Sequence, residues 1–207
     1  MAGQSQKKEK KFSYADYITW NDENRCELID GNVFNMTAPT RAHQKILLDL
    51  GTIMNLFFKG KSCEVYVAPF DVRLTKELKE NDKIFDVVQP DISVICDPEK
   101  LDNHGCIGAP DLVVEILSSS TASYDQIKKR ALYEKHHVQE FWIIHPWDRI
   151  LTIYRHSGKN YSQYRIFAET DEVCGCIFPE LKFVLKDILP SVDSNIVADE
   201  AAYYHSL

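Results

Sequence analysis

The stretch "PDLVVEILSSS", residues 110–120, places a single acid, Glu115, inside a run of apolar residues. A short apolar run bounded by Pro110 and a serine cluster is typical of a buried β-strand. Because side chains alternate along a strand, Glu115 projects from the same face as Val113 and Leu117. An ionised carboxylate is costly to remove from water, so this acid must be paired, neutral or bound to a cation.

A second acid opens another apolar stretch upstream, "PDISVI" at residues 90–95. Pro90 removes one ladder hydrogen bond, which favours the start or the edge of a strand at this point. If the two strands are neighbours, Asp91 and Glu115 lie at about the same height on the sheet. Two convergent carboxylates repel each other, and a divalent cation is a common way to keep both ionised.

The segment after the serine cluster, "YDQIKKRALYEKH" at residues 124–136, has the pattern of a helix. Asp125, Lys129 and Tyr133 form one row along it, at positions i, i+4 and i+8. A helix that folds back over the strand can bring the ammonium of Lys129 beside the carboxylates. The simpler alternatives are an exposed Asp125–Lys129 pair, contributing roughly 0.2–0.5 kcal/mol, or a structural Glu115–Lys129 pair.

The composition is that of an ordinary globular domain, with 207 residues, 44% hydrophobic and 27% charged. We expect a disordered basic tail at residues 1–11 and a single domain at residues 12–207. The net charge of −7 argues against a broad basic surface for nucleic acid, although it leaves room for a local cleft. No apolar run reaches the roughly 20 residues of a membrane span and the N-terminus is polar, so we expect a cytoplasmic protein. The six cysteines contain no C-x-x-C spacing and are expected to be reduced.

The rest of the chain predicts one mixed sheet with helices packed on it. "RCELIDGNVFNM" alternates on both sides of Asp30-Gly31, which indicates a β-hairpin. "TRAHQKILLDLGTIMNLFFK" has helical apolar spacing with Thr40 as its cap, and His43 is expected to be a polar residue of that helix. The segments between "EFWIIHP" and "LKFVLKDIL" are typical of an antiparallel meander. The expected fold class is α/β, of the mixed α+β kind.

Taken together, these motifs resemble a known family. "PD", then an acid inside a later strand, is similar to the PD-(D/E)XK nuclease core, although Glu115-Ile116-Leu117 lacks the lysine that normally follows two residues after the acid. "ELIDG", "VVQPDISVIC", "GAPDLVVEILSSST", the D-x-x-x-K-x-x-x-Y row, "VQEFWIIHP" and "FPELKF" occur in the order of the Uma-type family of restriction endonucleases. In that family the lysine lies on the following helix.

The resemblance implies a restriction-endonuclease-like core with an added antiparallel meander. It also implies a site in which Asp91 and Glu115, with the backbone carbonyl of Ile116, bind Mg²⁺ or Mn²⁺. Lys129 would orient the attacking water or balance charge on the phosphate. Glu27 would complete the catalytic group, and Asp71 is a weaker candidate for that position.

The implied function is that of a metal-dependent DNA endonuclease hydrolysing phosphodiester bonds, with DNA as the substrate. Cutting both strands would be simplest with two active sites, so a homodimer is a reasonable expectation. The alternatives are a catalytically inactive nucleic-acid-binding protein of the same fold, or a structural or interaction protein whose buried polar cluster specifies packing.

Overall fold

The structure is a computed structural model that describes residues 10–20, 25–76, 80–118 and 125–191, without the side chains of residues 125, 126, 163 and 164. Residues 1–9 of the predicted tail and residues 119–124, which include most of the serine cluster, lie outside these ranges. The described helices are α1 (Tyr14–Tyr17), α2 (Arg41–Phe58) and α3 (Arg130–Lys135), and a π-helical turn at Asp125–Lys129 leads into α3. None of the described helices has the length and apolar character needed to cross a membrane.

The strands are numbered in chain order. Those of the described residues are β1 (Cys26–Ile29), β2 (Asn32–Asn35), β3 (Glu64–Val67), β4 (Val72–Arg73), β5 (Val87–Val88), β6 (Ile92–Ile95), β7 (Leu101–Asp102), β8 (Gly105–Ile107), β9 (Leu112–Ile116), β10 (Glu140–His145), β11 (Ile150–His156), β12 (Tyr161–Ala168), β13 (Glu172–Cys174) and β14 (Lys182–Val184).

The N-terminal elements follow local sequence signals closely. β1 and β2 pair antiparallel through a two-residue turn in which φ is +49° at Asp30 and +73° at Gly31. Two positive φ values define a type I′ turn, which favours Asp-Gly. The predicted long helix is confirmed as α2, and the hydroxyl of Thr40 accepts a hydrogen bond from the amide of His43 as its N-cap.

The described strands form two six-stranded sheets and one two-stranded ribbon, where the sequence predicted one mixed sheet. The central sheet has the order β12-β11-β10-β9-β6-β3, the second sheet β2-β1-β5-β4-β8-β7, and β13 pairs with β14. The mixed α+β class is as predicted: β9 and β10 are parallel, and β10, β11 and β12 form the antiparallel meander. The second sheet was missed because β4, β5, β7 and β8 are only two or three residues long. Strands of that length are too short for alternation to be visible.

The central sheet separates two apolar cores, and β9 contributes to both. Val114 and Ile116 pack in the core that contains α2, whereas Val113 and Leu117 pack in the core that contains Tyr133. The predicted alternation along β9 is therefore confirmed. Glu115 lies on the face that meets the π-helical turn and α3.

The prediction that all six cysteines are reduced was wrong for two of them. Cys63 and Cys96 form a disulfide, whereas Cys26, Cys106, Cys174 and Cys176 are free. The antiparallel register pairs Glu64 with Ile95, so Cys63 and Cys96 lie opposite each other one position further along. Their separation of 33 residues hides this proximity in the sequence.

A buried carboxylate, Asp86, ties the β1–β2 turn to the end of α3. It is 5% exposed and receives hydrogen bonds from the amide of Asp30 (2.6 Å) and the ammonium of Lys135 (2.8 Å), and it contacts Nε2 of His136 (2.8 Å). Burial acts to raise the pKa of Asp86, but the contacts with His136, Lys135 and the amide of Asp30 outweigh it and lower the pKa to about 2. The folded state therefore favours the ionised carboxylate.

This shift predicts an acid-dependent loss of stability. The folded pKa lies below the unfolded value, so the contribution of Asp86 is complete above about pH 4 and is lost as the pH falls toward 2, with a size of about 2 kcal/mol. The variant Asp86→Asn should lower the free energy of unfolding by about that amount at neutral pH, measured by urea titration. The difference between wild type and variant should shrink through the same pH window. A difference that does not depend on pH would contradict this account.

Candidate active site

The two acids predicted to converge lie on neighbouring strands. Asp91 directly precedes β6, and Glu115 lies on β9. The antiparallel register pairs Ile92 with Val114, so Asp91 and Glu115 occupy opposite positions one step further along. The backbone amide of Ile116 donates a 2.7 Å hydrogen bond to Oδ2 of Asp91 and ties the two strand ends together.

Lys129 meets two acids at once. Its Nζ lies 3.0 Å from Oε1 of Glu115 and 3.0 Å from Oε1 of Glu27. All three residues are buried, with 3%, 3% and 2% exposure for Lys129, Glu115 and Glu27. The structure therefore brings Glu27, Asp91, Glu115 and Lys129, the four residues that the sequence analysis selected, to one end of the central sheet.

The local backbone explains how Lys129 reaches this position. The residue ends the π-helical turn that precedes α3. Such single turns inside helices are often found at functional sites. Glu27 comes from the other side, on β1, and its Oε1 also accepts a 2.8 Å hydrogen bond from the amide of Gln89. The Lys129 ammonium thus connects β1 of the second sheet with β9 of the central sheet.

Two further residues belong to the cluster, and sequence reasoning gave neither of them a role. The hydroxyl of Tyr133, which is fully buried, donates a 2.6 Å hydrogen bond to Oε1 of Glu115. His43 is 8% exposed, and its Nε2 lies 3.1 Å from Oδ2 of Asp91. A signal for His43 was present, because it precedes Ile46 and Leu47 by three and four positions and so shares the apolar face of α2.

The structure separates Asp71 from this cluster. Asp71 accepts hydrogen bonds from the hydroxyl of Tyr17 (3.2 Å) and the side-chain amide of Gln89 (2.9 Å), and it does not line the cavity described below. Burial and then the charge of Asp71 raise the pKa of Tyr17, so this pair holds a neutral phenol. The side chain of Asp125 lies outside the described part of the chain.

A cavity of about 300 Å³ opens onto the cluster. One end is polar and contains Glu27, His43, Asp91, Glu115 and Lys129. Much of the remaining wall is formed by the end of the hairpin, the loop that follows it and the first turns of α2: Phe34, Asn35, Met36, Thr37, Ala38, Pro39, Gln44 and Leu47. Arg25 before β1, Ala68 after β3, and Ile116 and Ser118 at the end of β9 complete it. A cavity of this size, mostly apolar with a few convergent polar groups, has the character of a ligand site.

The charges at the polar end are unequal. Among the described residues, the three carboxylates of Glu27, Asp91 and Glu115 lie close to the ammonium of Lys129, and the guanidinium of Arg25 is the other cationic group that lines the cavity. A buried excess of negative charge is unfavourable unless a cation or protons compensate it. A divalent cation bound at this end would neutralise the excess negative charge of the carboxylates.

The donors at this end suit Mg²⁺ or Mn²⁺ in their chemistry. Within the described residues, no three His, Cys, Asp or Glu side chains converge to form a preassembled cage. Mg²⁺ is commonly held by one or two carboxylates with water completing its shell, so Asp91, Glu115 and the carbonyl of Ile116 are a sufficient donor set. Oδ1 of Asp91 accepts no hydrogen bond from the described residues.

The mixed α+β fold with its acidic strand ends is that of a restriction-endonuclease-like protein. The chain belongs to the Uma2 family, described as "putative restriction endonuclease", whose model matches residues 14–186. The family resemblance read from the sequence is therefore confirmed.

Two curated relatives are uncharacterized proteins of Synechocystis sp. One is 30% identical over 125 residues, which cover 59% of this chain and 62% of the relative. The other is 24% identical over 128 residues, which cover 60% of this chain and 68% of the relative. The chain thus spans less than two thirds of the length of the first relative.

A solved structure shows the same fold. It is the crystal structure of a putative nuclease belonging to DUF820 from Anabaena variabilis, with a TM-score of 0.69 and 21% identity. The superposition covers 86% of this chain and 97% of the other. The restriction-endonuclease-like class is therefore established for the whole central architecture.

Proposed function

We propose that the protein is a metal-dependent endonuclease that hydrolyses phosphodiester bonds in DNA. The observation that carries this proposal is the buried Lys129 ammonium shared by Glu27 and Glu115, beside Asp91, at the polar end of an open cavity. Family membership supports the nuclease class, and the choice of DNA as substrate rests on it. The proposal depends on the site, because proteins of one fold can have many different activities.

Asp91 and Glu115, with the carbonyl of Ile116, would hold the cation. When bound, Mg²⁺ or Mn²⁺ supplies Lewis-acid polarisation of the phosphodiester and activates water for attack. Tyr133 and Lys129 both contact Oε1 of Glu115 and so restrict how its carboxylate can turn. A fixed carboxylate lowers the cost of organising the site around a cation.

Lys129 takes the position that a strand lysine has in the usual motif. Its ammonium can orient the attacking water or balance charge that develops on the phosphate. Glu27 fixes the position of that ammonium, because its carboxylate lies 3.0 Å away and itself accepts a hydrogen bond from the amide of Gln89. In this proposal the catalytic lysine comes from the helical turn before α3 and not from the strand that carries the acid.

The alternative is a protein of the same fold in which the cluster only specifies packing or binds nucleic acid without cutting it. The feature in its favour is that Lys129 already pairs with two of the three acids. On that interpretation, Asp91→Asn and Glu115→Gln change the free energy of unfolding but leave the affinity for Mn²⁺, measured by calorimetry, unchanged.

Nicking of supercoiled plasmid tests the proposal. Wild type should nick in the presence of Mg²⁺ or Mn²⁺, and Glu115→Gln should reduce the rate by at least about 100-fold, since it removes a proposed ligand. Glu134→Gln is the control: Glu134 is a partly buried glutamate of α3 that accepts a hydrogen bond from the amide of Tyr161, and it lies outside the cavity. This control should nick like wild type.

Two results would count against the proposal. Equal nicking by wild type and Glu115→Gln would assign the activity to a contaminant or to another site. Equal losses in Glu115→Gln and Glu134→Gln would indicate damage to the fold.

A further inference from the structure

His43 is a buried histidine that connects α2 to the acid cluster and that the proposed chemistry does not use. Its Nε2 contacts Oδ2 of Asp91, and its backbone amide is fixed by the Thr40 cap. The other ring nitrogen, Nδ1, is buried and has no hydrogen-bond partner among the described residues. Within the described part of the chain, the ring therefore makes one polar contact, which is with Asp91.

The contacts of Asp91 decide which nitrogen of His43 carries the proton. Oδ2 of Asp91 accepts the amide of Ile116 at 2.7 Å as well as contacting Nε2 of His43 at 3.1 Å. A carboxylate oxygen that takes two such contacts acts as an acceptor, so Nε2–H donates. A proton on Nδ1 would leave a buried N–H without an acceptor, which is costly. The geometry thus assigns Nε2–H as the donor to Asp91.

We propose that His43 is a positioning residue for Asp91. Together with the amide of Ile116, it holds Oδ2 and leaves Oδ1 as the oxygen available to a cation at the polar end of the cavity. The inference rests on the proposed function, because it takes Asp91 as a cation ligand. Hydrogen bonds to a ligating carboxylate fix its orientation, and their loss typically weakens metal binding 10- to 100-fold.

The chain contains a structural counterpart of this pair. Nε2 of His136 lies 2.8 Å from Oδ2 of Asp86, and its Nδ1 is likewise buried and without a partner among the described residues. His136 does not line the cavity. Replacing either histidine removes a contact between Nε2 and a carboxylate. Asp91 lines the cavity, whereas Asp86 does not.

Calorimetric titration of the full chain with Mn²⁺ tests the inference. His43→Leu should bind Mn²⁺ about 10- to 100-fold more weakly than wild type. His43→Gln should recover much of the affinity, since its side-chain amide can donate to Oδ2 of Asp91. His136→Leu should lose stability but bind Mn²⁺ like wild type. In metal-free protein, ¹⁵N NMR should show a proton on Nε2 of His43, the nitrogen that faces Asp91.

The outcomes separate this inference from the proposed function. If Asp91→Asn loses Mn²⁺ binding while His43→Leu binds like wild type, the positioning role is overturned and the metal site stands. A ring that carries a proton on Nδ1 and none on Nε2 in the metal-free wild type also overturns the positioning role. If wild type fails to bind Mn²⁺, or Asp91→Asn binds it equally well, both proposals are overturned.

Discussion

Replacement of Lys129 by methionine is expected to lower the free energy of unfolding by about 3–5 kcal/mol, the cost of leaving a buried charge without its partner. The ammonium is 3% exposed and is the ion-pair partner of Glu27 and Glu115, both of which are also buried. Its removal leaves two carboxylates close together in a site with little water. Urea unfolding at neutral pH measures the loss, and plasmid nicking should be abolished in the same variant.

Lys135→Met is the matched control for this experiment. Lys135 also pairs with a buried carboxylate, that of Asp86 at 2.8 Å, but its own side chain is 56% exposed. An exposed ammonium is already solvated, so its pair should contribute at most about 1 kcal/mol. Equal destabilisation by the two variants would show that burial of the ammonium does not set the size of the effect.

Glu140→Ala is expected to lower the free energy of unfolding by about 3 kcal/mol, because one buried and two partly buried donors lose their acceptor and each costs about 1 kcal/mol or more when unpaired. Glu140 is fully buried and accepts hydrogen bonds from the indole of Trp142 (2.6 Å) and from the amides of Cys176 (2.9 Å) and Ile177 (2.6 Å). These contacts attach the segment after β13 to the central sheet. Urea unfolding gives the total effect, and faster hydrogen exchange at Cys176 and Ile177 would locate it.

Glu134→Ala provides the comparison for Glu140→Ala. Glu134 accepts a hydrogen bond from the amide of Tyr161 at 2.6 Å and is only partly buried. Removing a single, partly solvated hydrogen bond should cost about 1 kcal/mol. If the two variants lose the same stability, the three donors around Glu140 are satisfied in another way.

Local patterns were sufficient where the physical cause is local. The Asp30-Gly31 turn, the Thr40 cap with the apolar face of α2, and the alternation along β9 depend on neighbouring residues, and the structure agrees with each of them. The proximity of Asp91 and Glu115 also followed from strand patterns, once the two strands were taken as neighbours. The helical row identified Lys129 as a candidate, and the family resemblance then added Glu27 and a role for Lys129. No local pattern specifies a partner for either residue.

Only the tertiary structure decided which distant groups meet. The sequence alone could not show that Lys129 pairs with both Glu27 and Glu115, that His43 lies against Asp91, or that Cys63 bonds to Cys96. It also left Asp71 as a candidate until the structure placed it beside Tyr17 and Gln89. Backbone conformation and periodicity depend on residues a few positions apart, whereas these contacts depend on how separate elements pack around the two cores.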